Sequence, residues 1–100
     1  MTEVVLITGC SQGGIGDALA REFYLKGKRV FATARDLSKI QHLKAMGLDT
    51  LQLDVTSEDS IQNAVRYIER ETSGKLNYLV NNAGMGEVSL SSMFRTLLID

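Results

Sequence analysis

The segment Thr8-Gly9-Cys10-Ser11-Gln12-Gly13-Gly14-Ile15-Gly16 places four glycines within eight residues. It lies between an unbroken apolar run, Val4-Val5-Leu6-Ile7, and a stretch with helical apolar spacing. That context constrains the fold more than any other feature of the chain. A β-branched run with no polar break reads as a strand buried on both faces. Glycines let the backbone turn tightly and let a pyrophosphate approach the amides, while the start of the following helix, near Ile15, offers free N–H groups and a positive dipole end. Ser11 adds a hydroxyl donor. A strand-to-helix turn without a ligand needs fewer glycines than are present here.

The rest of the chain alternates in the same way. Ala18, Leu19, Phe23 and Leu25 give an apolar helical face that stops at Gly27, and Val30 to Ala34 reads as a second strand. Leu37, Ile40 and Leu43 mark a helix ending at Gly47, and Leu48 to Leu53 a third strand. Thr56-Ser57-Glu58-Asp59 supplies hydroxyl caps and first-turn acids to a helix carrying Ile61, Ala64, Val65 and Ile68 up to Ser73-Gly74. Leu76 to Val80 is a fourth strand, leading into Asn81-Asn82-Ala83-Gly84. Strands and helices in this order require right-handed crossovers and a parallel sheet. The expected fold is α/β: the N-terminal half of a Rossmann doubly wound sheet, β-α-β-α-β-α-β, in one partial dinucleotide-binding domain over residues 1–100. The tail 85–100 has no clear pattern beyond a stripe of Met93, Phe94, Leu97 and Leu98. In the Rossmann order the fourth strand is interior, so Leu79 and Val80 at an open edge suggest a chain cut short.

Two of these motifs carry a family resemblance. The chain resembles the short-chain dehydrogenase/reductases, whose first turn reads TGxxxGIG and whose fourth strand ends in NNAG; here these are Thr8…Gly14-Ile15-Gly16 and Asn81 to Gly84. The turn carries one residue more than the usual spacing, within Cys10 to Gly13. The strings TGCSxGGIG, FATAR and LDVT are similar to a fungal branch of the family. The resemblance implies NADP(H)-dependent interconversion of a carbonyl and a secondary alcohol. The implied substrate is a small ketone, of an acylated dihydroxyacetone phosphate or of a fungal secondary metabolite. The cofactor-binding residues it implies are Gly9, Ser11, Gly14, Ile15, Gly16, Arg35, Asp54, Val55, Asn81, Asn82, Ala83 and Gly84.

The choice of NADP(H) rests on Arg35, the first residue after the second strand. There the family uses basic residues to clamp a 2′-phosphate, whereas an acid accepts from the ribose hydroxyl and repels the phosphate. Asp36 is one register slip away from that role, against which stands capping of the helix beginning at Leu37, together with Ser38. A plain surface arginine is the alternative for Arg35. In the family the acid corresponding to Asp54 holds the adenine amino group, with Val55 beside the ring; a helix-capping Asp is the alternative, with Thr56 and Ser57 already offering that service. Asn81, Asn82, Ala83 and Gly84 read as part structural and part cofactor wall.

The family's proton-donating Tyr, its Lys four residues later, its Ser and its Asn lie beyond NNAG, and none is identifiable in this sequence. Tyr24 and Lys28 have the Tyr-x-x-x-Lys spacing but fall at the end of the first helix, away from the nucleotide. Ser89, Ser91 and Ser92 stand too close to NNAG to serve and read as loop or cap residues. A non-catalytic nucleotide-binding or interaction remnant is therefore the competing expectation. His42 reads as solvated on a polar helix face. Cys10 is either a thiol activated by the helix N-terminus or a small buried packing residue. One Cys and one His cannot make a multi-ligand zinc site or a disulfide framework, and a net charge of -1 argues against nucleic acid as a partner. With no leader or membrane span recognisable, the expectation is a cytoplasmic protein. The fungal resemblance adds lipid-droplet or endoplasmic-reticulum association, and a homo-oligomer formed through later helices.

Overall fold

The computed structural model describes residues 2–82. Val4–Ile7 forms β1, whose four residues are all buried because both faces of the strand are covered. It is followed by α1 (Ile15–Leu25), β2 (Arg29–Ala34), a 3₁₀ turn (Leu37–Ile40) running directly into α2 (Gln41–Met46), β3 (Asp49–Gln52), α3 (Glu58–Thr72) and β4 (Tyr78–Val80). The sheet order is β3-β2-β1-β4, with every pairing parallel. This is the α/β, Rossmann-like arrangement expected from the sequence. The NNAG residues Ala83 and Gly84 and the tail stripe lie outside the described residues.

Alternate residues of the strands feed two cores. Val5, Ile7, Val30, Ala32 and Ala34 point to the α1/α2 side, with Ala20, Ile40 and Leu43 packed on them. Leu6 and Phe31 point to the other side, where Ile61, Ala64 and Ile68 of α3 close over them with Leu53 and Leu76. Two-sided burial explains why the strands lack the apolar–polar alternation of a half-exposed sheet. Burial of each large side chain contributes roughly 1.5–3 kcal/mol.

Several boundaries differ from the sequence reading. In α1 the inward stripe is Leu19, Ala20, Phe23 and Tyr24. Leu25 is 72% exposed, and Ala18, seven residues earlier and hence on the same outer face, is exposed too. The second helix opens as a 3₁₀ turn because Asp36 caps it tightly, accepting from Ser38 N at 2.9 Å. The fourth strand starts two residues later than expected. Leu76 is buried ahead of it, and Asn77 binds β1 through its side chain, accepting from Val4 N at 2.8 Å, and through its own N–H, donating to Val4 O at 3.0 Å. Among the described residues β4 pairs on one side only, so Leu79 and Val80 do stand at an edge, half-buried.

Candidate functional site

The carboxyl ends of the four parallel strands come together on one rim of the sheet, and the glycine turn rises from its middle. Two hydrogen bonds fix the base of the turn: Thr8 N donates to Val80 O at 3.0 Å and Cys10 N to Thr33 O at 2.9 Å. Gly9 turns the chain at φ +67 and Gly13 at φ +90, conformations that side chains with a Cβ rarely adopt. Gly16 is buried at the closest approach of α1 to the turn. A Cβ there would run into the Gly9 carbonyl and stand 2.9 Å from Asn82 Nδ2.

The start of α1 lies directly on the glycine turn, with Asp17 in its first turn. Its N-cap is Gly14, and no side chain caps its first turn. By contrast, Ser57 caps α3 by accepting from Ser60 N at 3.2 Å. An uncapped first turn leaves N–H groups and the dipole's positive end available to an anion. Beside it Ser11 and Gly14 are exposed, and the Ile15 side chain is 72% exposed.

A cleft of about 360 Å³ opens next to the turn, lined by Gly9, Ser11, Ala34, Arg35, Asp36, Lys39, Leu53 and Val55. Its floor is apolar, and its rim carries two cations and one acid. The Arg35 side chain is 77% exposed and lies 3.9 Å from Asp54 Oδ1, a loose pairing that leaves it able to swing over the cleft. Asp36 is committed locally: its Oδ1 also accepts from Ser38 Oγ at 2.7 Å, and these bonds hold its carboxyl below the ordinary value. Capping is thus the contact Asp36 makes. Lys39, on the 3₁₀ turn, was not singled out from the sequence; the signal for it is its four-residue spacing from Arg35. A larger open groove of about 690 Å³ follows α3 past Asp54, Ser57, Tyr67 and Arg70, but it touches no residue of the glycine turn.

Asp54 Oδ1 accepts from Thr56 Oγ1 at 2.6 Å and from Thr56 N at 2.9 Å, which with Arg35 keeps its carboxyl below the usual range. The local-turn alternative is therefore the contact this oxygen makes, even with Thr56 and Ser57 at hand as caps. Val55 is buried against the cleft. From the end of β4, Asn82 Nδ2 donates to Gly9 O at 3.0 Å, and Thr8 Oγ1 donates to Asn81 Oδ1 at 3.2 Å. Asn81 Nδ2 is buried without a hydrogen-bond partner among the described residues. The two asparagines thus tie β4 to the turn.

Two expectations change. His42 is half-buried rather than solvated, with Nε2 2.7 Å from Asp17 Oδ1. Asp17, which drew no notice in the sequence, is buried and also accepts from Gly13 N at 2.9 Å. Burial raises the Asp17 carboxyl, but its bonds to Gly13 and His42 and the charges of His42 and Arg21 outweigh that and hold it below its usual range. Of the two readings of Cys10, packing is the one seen. Its thiol is fully buried, donates to Ile7 O at 3.3 Å, and is pushed up to about 11 by burial. Tyr24 packs beside Gly47, and Lys28 pairs with Glu3 at the opposite rim of the sheet. Neither reaches the turn.

No helix among the described residues is long and apolar enough to cross a membrane. Residues 3–97 match the family model for short chain dehydrogenase. Over 80 residues the chain is 52% identical to an NADPH-dependent 1-acyldihydroxyacetone phosphate reductase of Schizosaccharomyces pombe, covering 80% of this chain and 27% of that protein. It is 56% identical over 85 residues to short-chain dehydrogenase PC-15 of Penicillium crustosum, covering 84% of this chain and 31% of that one. Among solved structures, an NADPH-bound carbonyl reductase from chicken fatty liver superposes with a TM-score of 0.84 at 26% identity, over 96% of this chain and 48% of that one. The chain thus spans under a third of these curated relatives. Because that family model matches residues 3–97, far more than half of its length, the chain belongs to the short-chain dehydrogenase family.

Proposed function

We propose that the glycine turn and its neighbouring cleft bind NADP(H), and that the chain is the cofactor-binding portion of a reductase interconverting a carbonyl and a secondary alcohol. The observation that carries this reading is the N-terminus of α1, without a side-chain cap, on the same glycine turn whose Gly9 and Ser11 line a cleft with Arg35 and Lys39. A dinucleotide phosphate presents two anionic groups, and the chain offers a separate cationic feature for each. The pyrophosphate meets the amides of Gly14, Ile15 and Gly16 with the Ser11 hydroxyl. The 2′-phosphate meets Arg35, with Lys39 adding a point charge. Asp36 and Asp54 oppose that binding, but the Asp36 carboxylate is bonded to Ser38 and that of Asp54 to Thr56, with Arg35 only 3.9 Å away in a loose pairing. Leu53 and Val55 form an apolar wall for the adenine, with Asp54 beside it. Gly9 gives the backbone clearance, and Asn81 and Asn82 complete the wall toward β4.

The bound cofactor supplies the hydride; the residues described here bind and orient it. The Schizosaccharomyces pombe relative, by its name, supports NADPH and an acylated dihydroxyacetone phosphate ketone as substrate. The location of Tyr24 and Lys28, on the far rim, favours a second reading: a nucleotide-binding module with no proton donor among its described residues.

Fluorescence titration with NADPH tests the first reading. Saturable binding, displaced by 2′,5′-ADP more effectively than by 5′-AMP, is the expected result. Equal displacement by the two nucleotides would remove the 2′-phosphate site. NADPH oxidation with a ketone, measured on the same sample, separates a reductase from a binding module.

A further inference from the structure

We infer that Asp17 and His42 form a positioning pair: His42, from α2, holds the Asp17 carboxylate where it fixes the Gly13 amide and so sets the shape of the glycine turn. The function assigned to that shape rests on the nucleotide-binding reading above. Gly13 stands at the tip of the turn at φ +90, exposed, and a Cβ built on it would meet nothing within 4 Å. Packing therefore does not hold the tip in place; polar ties must.

Three such ties are present: Gly14 N donates to Ser11 O at 3.1 Å and closes the turn on itself, and the other two lead to the same neighbour, the segment entering α2. Gly13 N donates to Asp17 Oδ2 at 2.9 Å, while Asp17 Oδ1 lies 2.7 Å from His42 Nε2 and 3.3 Å from Arg21 Nε. The preceding residue, Gln12, donates its N–H to Lys39 O at 3.0 Å, in the 3₁₀ turn that runs into α2. An ionised carboxylate only accepts, so Nε2 carries the proton in this contact. With its side chain 4% exposed, Asp17 would keep only the longer 3.3 Å contact from Arg21 on Oδ1 if His42 were removed, and its grip on Gly13 would loosen. The groups facing this carboxylate, Arg21 on its own helix and His42 on α2, are both of the complementary kind. Because α2 follows directly on the segment bearing Arg35 and Lys39, the pair couples the phosphate-facing turn to the cationic rim of the cleft. His42 thus acts on the nucleotide through Asp17 without touching it.

The test uses the full chain as His42→Ala and His42→Gln. The glutamine amide can present an N–H donor where Nε2 stands, so it separates loss of the donor from loss of the ring. Two readouts are taken, the Gly13 amide by NMR without nucleotide and NADPH affinity by fluorescence. In wild type the Gly13 amide proton is expected downfield and slow to exchange. In His42→Ala it moves upfield, exchanges about tenfold faster, and NADPH binds about tenfold more weakly; His42→Gln restores both. A Gly13 amide unchanged in a folded His42→Ala chain overturns the proposal. So does an equal loss in both variants, which a merely structural histidine would give. Should wild type fail to bind NADPH, the nucleotide reading falls, and the Gly13 amide alone decides whether the pair positions the turn.

Discussion

Asn82, at the end of β4, donates its side-chain amide to the carbonyl of Gly9 at 3.0 Å, pinning the glycine turn to the edge strand. The contact joins residues 73 positions apart in the chain, so the turn holds this shape only when β4 is docked. Asn82→Ala removes one partly buried hydrogen bond and should lower stability by about 1 kcal/mol. It should also weaken NADPH binding about fivefold. Urea denaturation followed by circular dichroism, with a nucleotide titration, reads both. A stability loss with unchanged affinity would mean that the contact has no bearing on the turn.

Gly16→Ala tests how closely α1 must approach the turn. Its Cβ would collide with the Gly9 carbonyl and crowd Asn82 Nδ2. Since backbone stands on one side, relief requires the turn itself to move. A cost of about 1–3 kcal/mol and a loss of NADPH affinity beyond about tenfold are expected. Wild-type affinity in this variant would show that the amides of the turn do not face the ligand.

Arg35→Asp reverses the charge at the rim of the cleft. Loss of a charge-assisted contact to the 2′-phosphate should weaken NADPH about ten- to a hundredfold. NADH should be spared, because the new acid can accept from a ribose hydroxyl. The ratio of the two dissociation constants is the quantity to measure. A ratio still at its wild-type value would rule out Arg35 as the phosphate clamp.

Ile68 is fully buried where α3 covers Phe31 and Leu6. Truncation to Ala leaves a cavity and should cost about 2–5 kcal/mol. Arg66→Ala, on the exposed face of the same helix, should change stability by no more than about 0.5 kcal/mol. Denaturant midpoints of the two variants provide the comparison.

The carboxyl of Asp17 is held below its ordinary value of 3.8. A depressed folded-state value contributes stability that is present above the unfolded value and is lost as pH falls through the folded one. Wild type should therefore lose stability below about pH 4 more steeply than Asp17→Asn, which has no proton to take up. Half-buried Glu3 and Asp54 and exposed Asp36 are shifted the same way and add smaller amounts, screened by solvent. Parallel pH slopes for the two proteins would show that Asp17 carries none of the acid sensitivity.

The order of elements and the position of the glycine turn were legible in the sequence, because they depend on local signals. Val4 to Ile7 has no polar break, the glycines cluster where a strand meets a helix, and Ser57 opens α3. Backbone sterics and the period of apolar residues act within a few neighbours, so they can be read along the chain. Asp36 as a cap and Cys10 as a packed thiol follow from the same short-range reasoning. The inner face of α1 was assigned less well, since Ala18 and Leu25 are apolar in type yet lie seven residues apart on the outer side.

What the tertiary structure decided are the contacts between residues distant in sequence. His42 reads as a solvated residue until α2 is laid beside the start of α1, which brings its ring to Asp17 across 25 positions. Lys39 becomes a neighbour of Ser11 and Val55 only once the β1, β2 and β3 loops converge on one rim. The sequence by itself determined which segments form strands and helices and where the glycine-rich strand-to-helix turn would lie. The packing of α1 and α2 on a parallel sheet decided which charged side chains surround that turn, because side-chain electrostatics act through space and carry no period along the chain.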